Sequence, residues 1–293
     1  MTLTKISHPI SLEKIRLLVS KSIQYRRAIL KLIYTAKAGH TGGSLSCVDI
    51  LNVLYNHVMD ITPQNFNQVN RDRYVHSKGH SVEALYAVLA DKGFFSTELL
   101  DNVEKYCSDF IGHPTRSVLG IEQNTGALGH GLSVAVGMAL AAKKDGRSDR
   151  IFTIMGDGEL TEGSIWEASA SAAHYRLDNL IAIIDHNTLQ ITGRTEHVMN
   201  MEPLEAKFTA FGFAVRHVDG NNVEELVNLL ENVPFEPGKP NLVLAHTIKG
   251  KGISYMEDQI QWHHRVPTDS EYAAAMLELD AAEKHLEKTD GRF

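Results

Sequence analysis

The sequence predicts an α/β fold, a parallel sheet with helices on both faces. Three observations carry that expectation. The runs RIFTIMGD (150–157), NLIAIIDHN (179–187) and NLVLAHT (241–247) are apolar almost throughout instead of alternating, as strands buried on both faces are. Stretches with helical spacing, SIWEASASAAHYR (164–176) and VEELVNLLENV (223–233), lie between such runs, with FAVRHV (213–218) as a further strand. Strand–helix–strand repetition is how a parallel sheet is wound.

The elements follow in order. Residues 11–37 space their apolar side chains helically, with Ser11 as N-cap and an acidic residue two positions on. Gly39-His40-Thr41-Gly42-Gly43 interrupts the helix, and CVDILNVLYNHV resumes one. Another helix follows Gly79-His80, and GLSVAVGMALAAKK (131–144) forms a small-residue helix suited to close packing. After the strand–helix region, the last 30 residues, rich in Ala, Glu and Leu, read as a terminal helix. No internal repeat and no low-complexity linker divides the 293 residues.

Composition narrows the function. A net charge of −7 argues against nucleic acid or an anionic membrane as partner. No stretch of about 18 apolar residues and no signal-like N-terminus occurs, so a cytoplasmic protein is expected. Cys47 and Cys107 form no motif and read as free thiols, without zinc. No GxxxxGK[ST] accompanies the lysines of TIKGKGIS, which rejects a P-loop, and GALGHG (126–131) lacks both the spacing and the preceding strand of a dinucleotide loop.

IMGDGELTEG (154–163) holds the chemistry. Asp157 lies between two glycines where one strand ends, and Asn187 ends the next strand, 30 positions later with one helix between. If these strands are neighbours, about 4.8 Å apart, both side chains meet at the carboxyl edge, where open α/β sheets bind ligands. A carboxylate, an amide oxygen and a nearby carbonyl suit a hard divalent cation such as Mg2+, which takes its remaining ligands from phosphates and water. Gly158 leaves its N–H open to a phosphate. The same pair equally suits a turn in which Asp157 caps the next helix and Asn187 sits in a loop.

GDGE followed by a strand ending in Asn resembles the thiamine diphosphate signature. AKAGHTGGSLSCVDILNVLY, RDRYVHSKGHSVEALYAVL, GHP with TGALGHGLSVAVGMALA, and HTIKGKGISYME with WHH together resemble transketolases, in order, over roughly residues 30–266. The resemblance implies thiamine diphosphate as cofactor and Mg2+ held by Asp157, Asn187 and the Leu189 carbonyl, with Ca2+ or Mn2+ able to substitute. It also implies that Gly158, His80 and His263 touch the diphosphate, and that Gly126 and Leu128 line the aminopyrimidine–thiazolium region. His40, His113 and His263 then face the sugar hydroxyls as catalytic residues, since imidazole both donates and accepts protons near neutrality. Glu162 and Glu167 match acidic positions linking the two cofactor sites of a dimer. Two departures stand out. His186 occupies a position where the family often has Asp or Asn, and His264 stands where related split chains have glycine. His130 replaces a common glutamine and reads as a supporting polar group. His57, His174, His186, His197 and His217 read as surface or packing residues, and His246 is left open.

Thiamine diphosphate also needs a glutamate against N1′, which in the family lies on a pyrimidine-binding domain. Residues 1–293 are therefore expected to form a single diphosphate-binding domain, with the pyrimidine-binding and C-terminal domains on a separate chain in an α2β2 assembly. Ketol transfer between sugar phosphates is the activity implied. A subunit of a 1-deoxyxylulose-5-phosphate synthase-like or 2-oxo-acid dehydrogenase-like enzyme, or a non-catalytic homologue, is the alternative. The GH…GH…GHP histidines favour transketolase because sugar hydroxyls need such partners.

Overall fold

The computed structural model describes residues 10–289. Helix α1 (Leu12–Ala36) begins as expected, the Ser11 hydroxyl accepting the Lys14 N–H at 3.2 Å. Helix α2 (Thr41–Val53) starts earlier than the sequence suggests, with Gly42 and Gly43 inside its first turn. Strand β1 (Arg73–His76) precedes α3 (Val82–Asp91) and α4 (His130–Lys144). Strand β2 (Ile151–Gly156), α5 (Gly163–His174) and β3 (Leu180–His186) follow, then α6 (Thr195–Val198) and α7 (Leu204–Phe211). Strand β4 (Ala214–Asp219), α8 (Val223–Leu230), β5 (Asn241–His246) and α9 (Asp269–Lys288) complete the order. The terminal helix expected over the last 30 residues runs toward residues 290–293, which lie outside the described residues.

The five strands pair in parallel in the order β1-β2-β3-β5-β4. The sequence pattern does not reveal the edge strand β1. Its four residues offer only Tyr74 and Val75 as adjacent apolar side chains, too short a run to signal a strand.

Period-two alternation sorts the core into two layers. Phe152, Ile154, Ile181, Ile183 and Val243 pack under α1, α2, α3 and α8, whereas Ile151, Met155, Leu180, Ile184 and Leu242 pack under α4, α5 and α7. Each fully buried aliphatic contributes about 1.5–3 kcal/mol, which is why both faces of these strands had to be apolar. The two layers also split the chain at the carboxyl edge. After β1 and β5 the chain passes to helices of the first layer, and after β2 and β3 to helices of the second. A crevice opens where the exits diverge.

Candidate functional site

All five strands run in one direction, so residues just past β1, β2, β3 and β5 collect at that crevice. Gly156 pairs with Asp185, and the Asp157 N–H donates to the Asp185 carbonyl at 3.3 Å. The tips carrying Asp157 and Asn187 are therefore neighbours, the condition on which the sequence reading depended. A cavity of about 300 Å3 is lined by His40, Lys78, His80, Gly126, Leu128, Asp157, Gly158, Asn187, Leu189, Lys249 and His263.

Asp157 is buried. Its Oδ1 accepts the Gly158 N–H at 2.8 Å and its Oδ2 the Thr188 N–H at 2.5 Å. The carboxylate thus shapes the local turns, the capping role the sequence left open, and still presents lone pairs to the cavity. Burial first, then the neighbouring Asp185 charge, pushes its pKa up to about 6. Thr188 adopts φ +63°, strained for a β-branched residue. Its N–H bond to Asp157 and the Arg194 guanidinium on its hydroxyl at 3.2 Å hold it there, between Asn187 and Leu189.

This donor set fits a hard cation. Asp157, Asn187 Oδ1 and the Leu189 carbonyl are all oxygen donors, and the Leu189 carbonyl already receives a cation, the Lys249 ammonium at 2.8 Å. Among the described residues no group of three or more His, Cys, Asp or Glu could hold a metal. Three oxygens with open positions for phosphate suit Mg2+ better than zinc.

Imidazoles form the other wall. The His40 ring lies 5.2 Å from His80, 5.8 Å from His263 and 6.2 Å from His113, centroid to centroid. Burial, then neighbouring positive groups, lowers His40 to about 4 and His263 to about 3, and burial also takes His80 well below its ordinary value. These rings are neutral near pH 7, so each offers one donor and one acceptor. The Lys249 ammonium can only donate, and it lies 2.8 Å from His263 Nδ1, which leaves the proton on Nε2. His40 Nδ1 is buried without a partner, a free polar atom beside the cavity.

Glycines let the walls close. A Cβ on Gly79 would meet the Gly126 backbone nitrogen at 2.7 Å, and one on Gly126, at φ +133°, would meet the His113 ring at 2.6 Å. The turns carrying His80 and His113 are thereby packed against the loop carrying Gly126. His113 flanks the cavity without lining it. Glu162 and Glu167 are exposed at the start of α5 and stay outside it, as does exposed His130. His186, His246 and His217 form a hydrogen-bonded row along the ends of β3, β5 and β4, with contacts of 3.2 and 2.9 Å.

Sequence reasoning missed four buried charges at the site, Glu159, Lys78, Asp185 and Lys249. Glu159 accepts the N–H groups of Gly129 at 2.9 Å and Gly156 at 3.1 Å and the Ser77 hydroxyl, tying three loops together. Lys78 pairs with Asp185, and the Ser46 hydroxyl donates to the same carboxylate at 2.6 Å. Burial opposes both charges, yet their attraction prevails, raising the lysine and lowering the aspartate. Lys249, its pKa lowered to about 8 by burial and then by Lys78, bridges Leu189 and His263. A lysine in a glycine-rich stretch carries no signature when the P-loop spacing is absent; only its burial reveals it.

The family model described as "Transketolase, thiamine diphosphate binding domain" matches residues 19–281. An apulose-4-phosphate transketolase subunit from Phocaeicola vulgatus is 48% identical over 92% of this chain and 95% of its own length. A 6-deoxy-6-sulfo-D-fructose transketolase subunit of a Clostridium species is 45% identical over 87% and 93%. The crystal structure of Campylobacter jejuni transketolase superposes with a TM-score of 0.80 at 31% identity, covering 93% of this chain and 48% of that one. The chain thus spans about half the length of that solved transketolase. It has the thiamine diphosphate-binding α/β fold and belongs to the transketolase family.

Proposed function

We propose that this chain is the diphosphate-binding subunit of a split transketolase, active when a second chain supplies the pyrimidine-binding domain and its glutamate. The observation that carries the reading is the single cavity in which neutral imidazoles face three oxygens at adjoining strand tips. Subunit naming among relatives of nearly the same length supports a separate partner, and α2β2 is the simplest assembly.

In this reading Asp157, Asn187 and the Leu189 carbonyl hold Mg2+, while Gly158, His80 and His263 bind the diphosphate. Gly126 and Leu128 line the rings of the cofactor. Bound thiamine diphosphate supplies a nucleophilic carbon and an electron sink for breaking the C–C bond of a ketose. His40, His113 and His263 bind and orient sugar hydroxyls and pass protons to and from them, a task suited to rings that are neutral at working pH. Lys249 fixes the tautomer of His263 and offers its ammonium to the anionic cofactor. Glu162 and Glu167 are reserved for contacts with a second subunit. The donor is a ketose phosphate or sulfonate, the class named for the two relatives, and the acceptor an aldose phosphate.

The test mixes the purified chain, its partner, thiamine diphosphate and Mg2+ and follows ketol transfer. Turnover is expected only with both chains present, lost with EDTA and restored by Mg2+, Ca2+ or Mn2+. Asp157→Ala should lower activity at least about 100-fold, the upper end of the roughly 10–100-fold that follows loss of a mere outer-shell partner of a metal ligand. Full turnover by the chain alone would refute the split site.

A further inference from the structure

One imidazole beside the cavity has no assigned task. His264 follows His263 in the turn after Ile260–Trp262. Its φ is not positive, so nothing in the backbone calls for glycine here and a side chain fits without strain. Its ring lies 4.5 Å from His40, nearer than those of His80, His263 or His113.

The turn is anchored on both sides. The Thr41 hydroxyl donates to the Arg265 carbonyl at 2.7 Å, and a Cβ on Gly42 would lie 2.8 Å from the Trp262 carbonyl oxygen. Trp262 is fully buried, and the Arg265 guanidinium stacks over it at 4.5 Å while pairing with Glu271 at 2.7 Å. Between these anchors the His264 ring is exposed and makes no hydrogen bond or ion pair among the described residues. It is held in place with both nitrogens available. His40 lines the cavity, and His264, exposed and 4.5 Å from the His40 ring without lining the cavity itself, stands beside it toward solvent, which we take as its mouth.

We propose that His264 is a specificity-determining residue whose imidazole hydrogen-bonds a hydroxyl on the part of a ketose donor that is not transferred. The inference rests on the transketolase reading. A donor that brings its first two carbons to the cofactor leaves its remaining carbons at this mouth. There an imidazole with one donor and one acceptor matches a secondary hydroxyl. Of the histidines around His40, His113 and His263 address the reacting end and His80 the diphosphate, whereas His264 reads what lies beyond them.

The test compares two kinds of donor of the same two-carbon unit in the reconstituted pair with thiamine diphosphate and Mg2+. Hydroxypyruvate delivers the unit with loss of CO2 and carries no distal hydroxyl; the other donor is the best ketose phosphate of a straight-chain and branched panel. His264→Gly is expected to raise KM for the ketose phosphate about tenfold, the scale of one hydrogen bond. The kcat/KM for hydroxypyruvate should stay within about twofold. His264→Asn, which keeps a donor and an acceptor, should recover most of the loss. Equal losses with both donors, no change with either, or a wild-type pair that uses hydroxypyruvate but no ketose would overturn the inference and leave the cofactor site standing. A wild-type pair inactive with every donor would overturn the transketolase reading and this inference with it.

Discussion

Lys78 shows at the scale of one residue how the cavity floor is held. Its side chain is 1% exposed, pairs with the fully buried Asp185 and donates to the Gly43 carbonyl at 3.1 Å. A buried charge without its partner costs about 3–5 kcal/mol. Lys78→Met should therefore destabilise the chain on that scale in chemical denaturation, and the double variant Lys78→Met/Asp185→Asn should lose less than the single one. Equal losses would mean that the pair is not coupled. Glu83 is the second case. It accepts the His40 N–H at 3.1 Å and the Ser44 hydroxyl at 2.8 Å, and burial pushes its carboxyl up from 4.5 to about 7. A carboxyl raised on folding stabilises fully below its unfolded pKa and loses that contribution as pH rises through the folded one. Between pH 4.5 and 8, wild type should lose up to about 3 kcal/mol relative to Glu83→Gln. A gap that does not change with pH would contradict the burial argument.

At the scale of elements, the site depends on how closely turns approach one another. The turn after β1 carries His80 and, at Gly79, meets the loop before α4. There an added Cβ would lie 2.7–2.9 Å from the backbone of Thr125 and Gly126. Backbone cannot yield as a flexible side chain can. Gly79→Ala should cost about 1–3 kcal/mol from overpacking and weaken thiamine diphosphate binding in the reconstituted pair, both readable by calorimetry. Unchanged affinity would show that the two turns move independently. Helix α2 teaches the converse. Glycines read as an interruption are helical at Gly42 and Gly43, because Gly42 packs against the Trp262 carbonyl, a neighbour more than 200 residues away.

At the scale of the whole molecule, this chain alone builds the cavity, and the exposed His264 ring lies 4.5 Å from the His40 ring that lines it. Thiamine diphosphate should bind the isolated chain weakly and the reconstituted pair at least about tenfold more tightly, since enclosure removes water from the same contacts. Titration calorimetry at fixed Mg2+ checks this, and equal affinities would argue that the partner adds nothing to the cofactor site. Among the described residues no helix is long and apolar enough to cross a membrane.

The sequence by itself determined the sheet strands β2, β3 and β5, because strands buried on both faces are apolar almost throughout, and it placed the edge strand β4, with Arg216 and His217 exposed, from the strand–helix alternation. It also determined the likeness to transketolases, since close approaches that require glycine, as at Gly79 and Gly126, leave local motifs. Tertiary structure alone decided the rest. Strand β1 is too short for its pattern to speak, and it forms because β2 lies beside it. Glu159, Lys78 and Lys249 look like ordinary surface charges along the chain, and their importance arises only when folding removes them from water. The place of His264 beside His40 was likewise hidden, because the two residues are brought together by contacts between the start of α2 and the turn after Trp262. Local pattern records what a residue needs from its neighbours in sequence, whereas burial and pairing depend on neighbours in space.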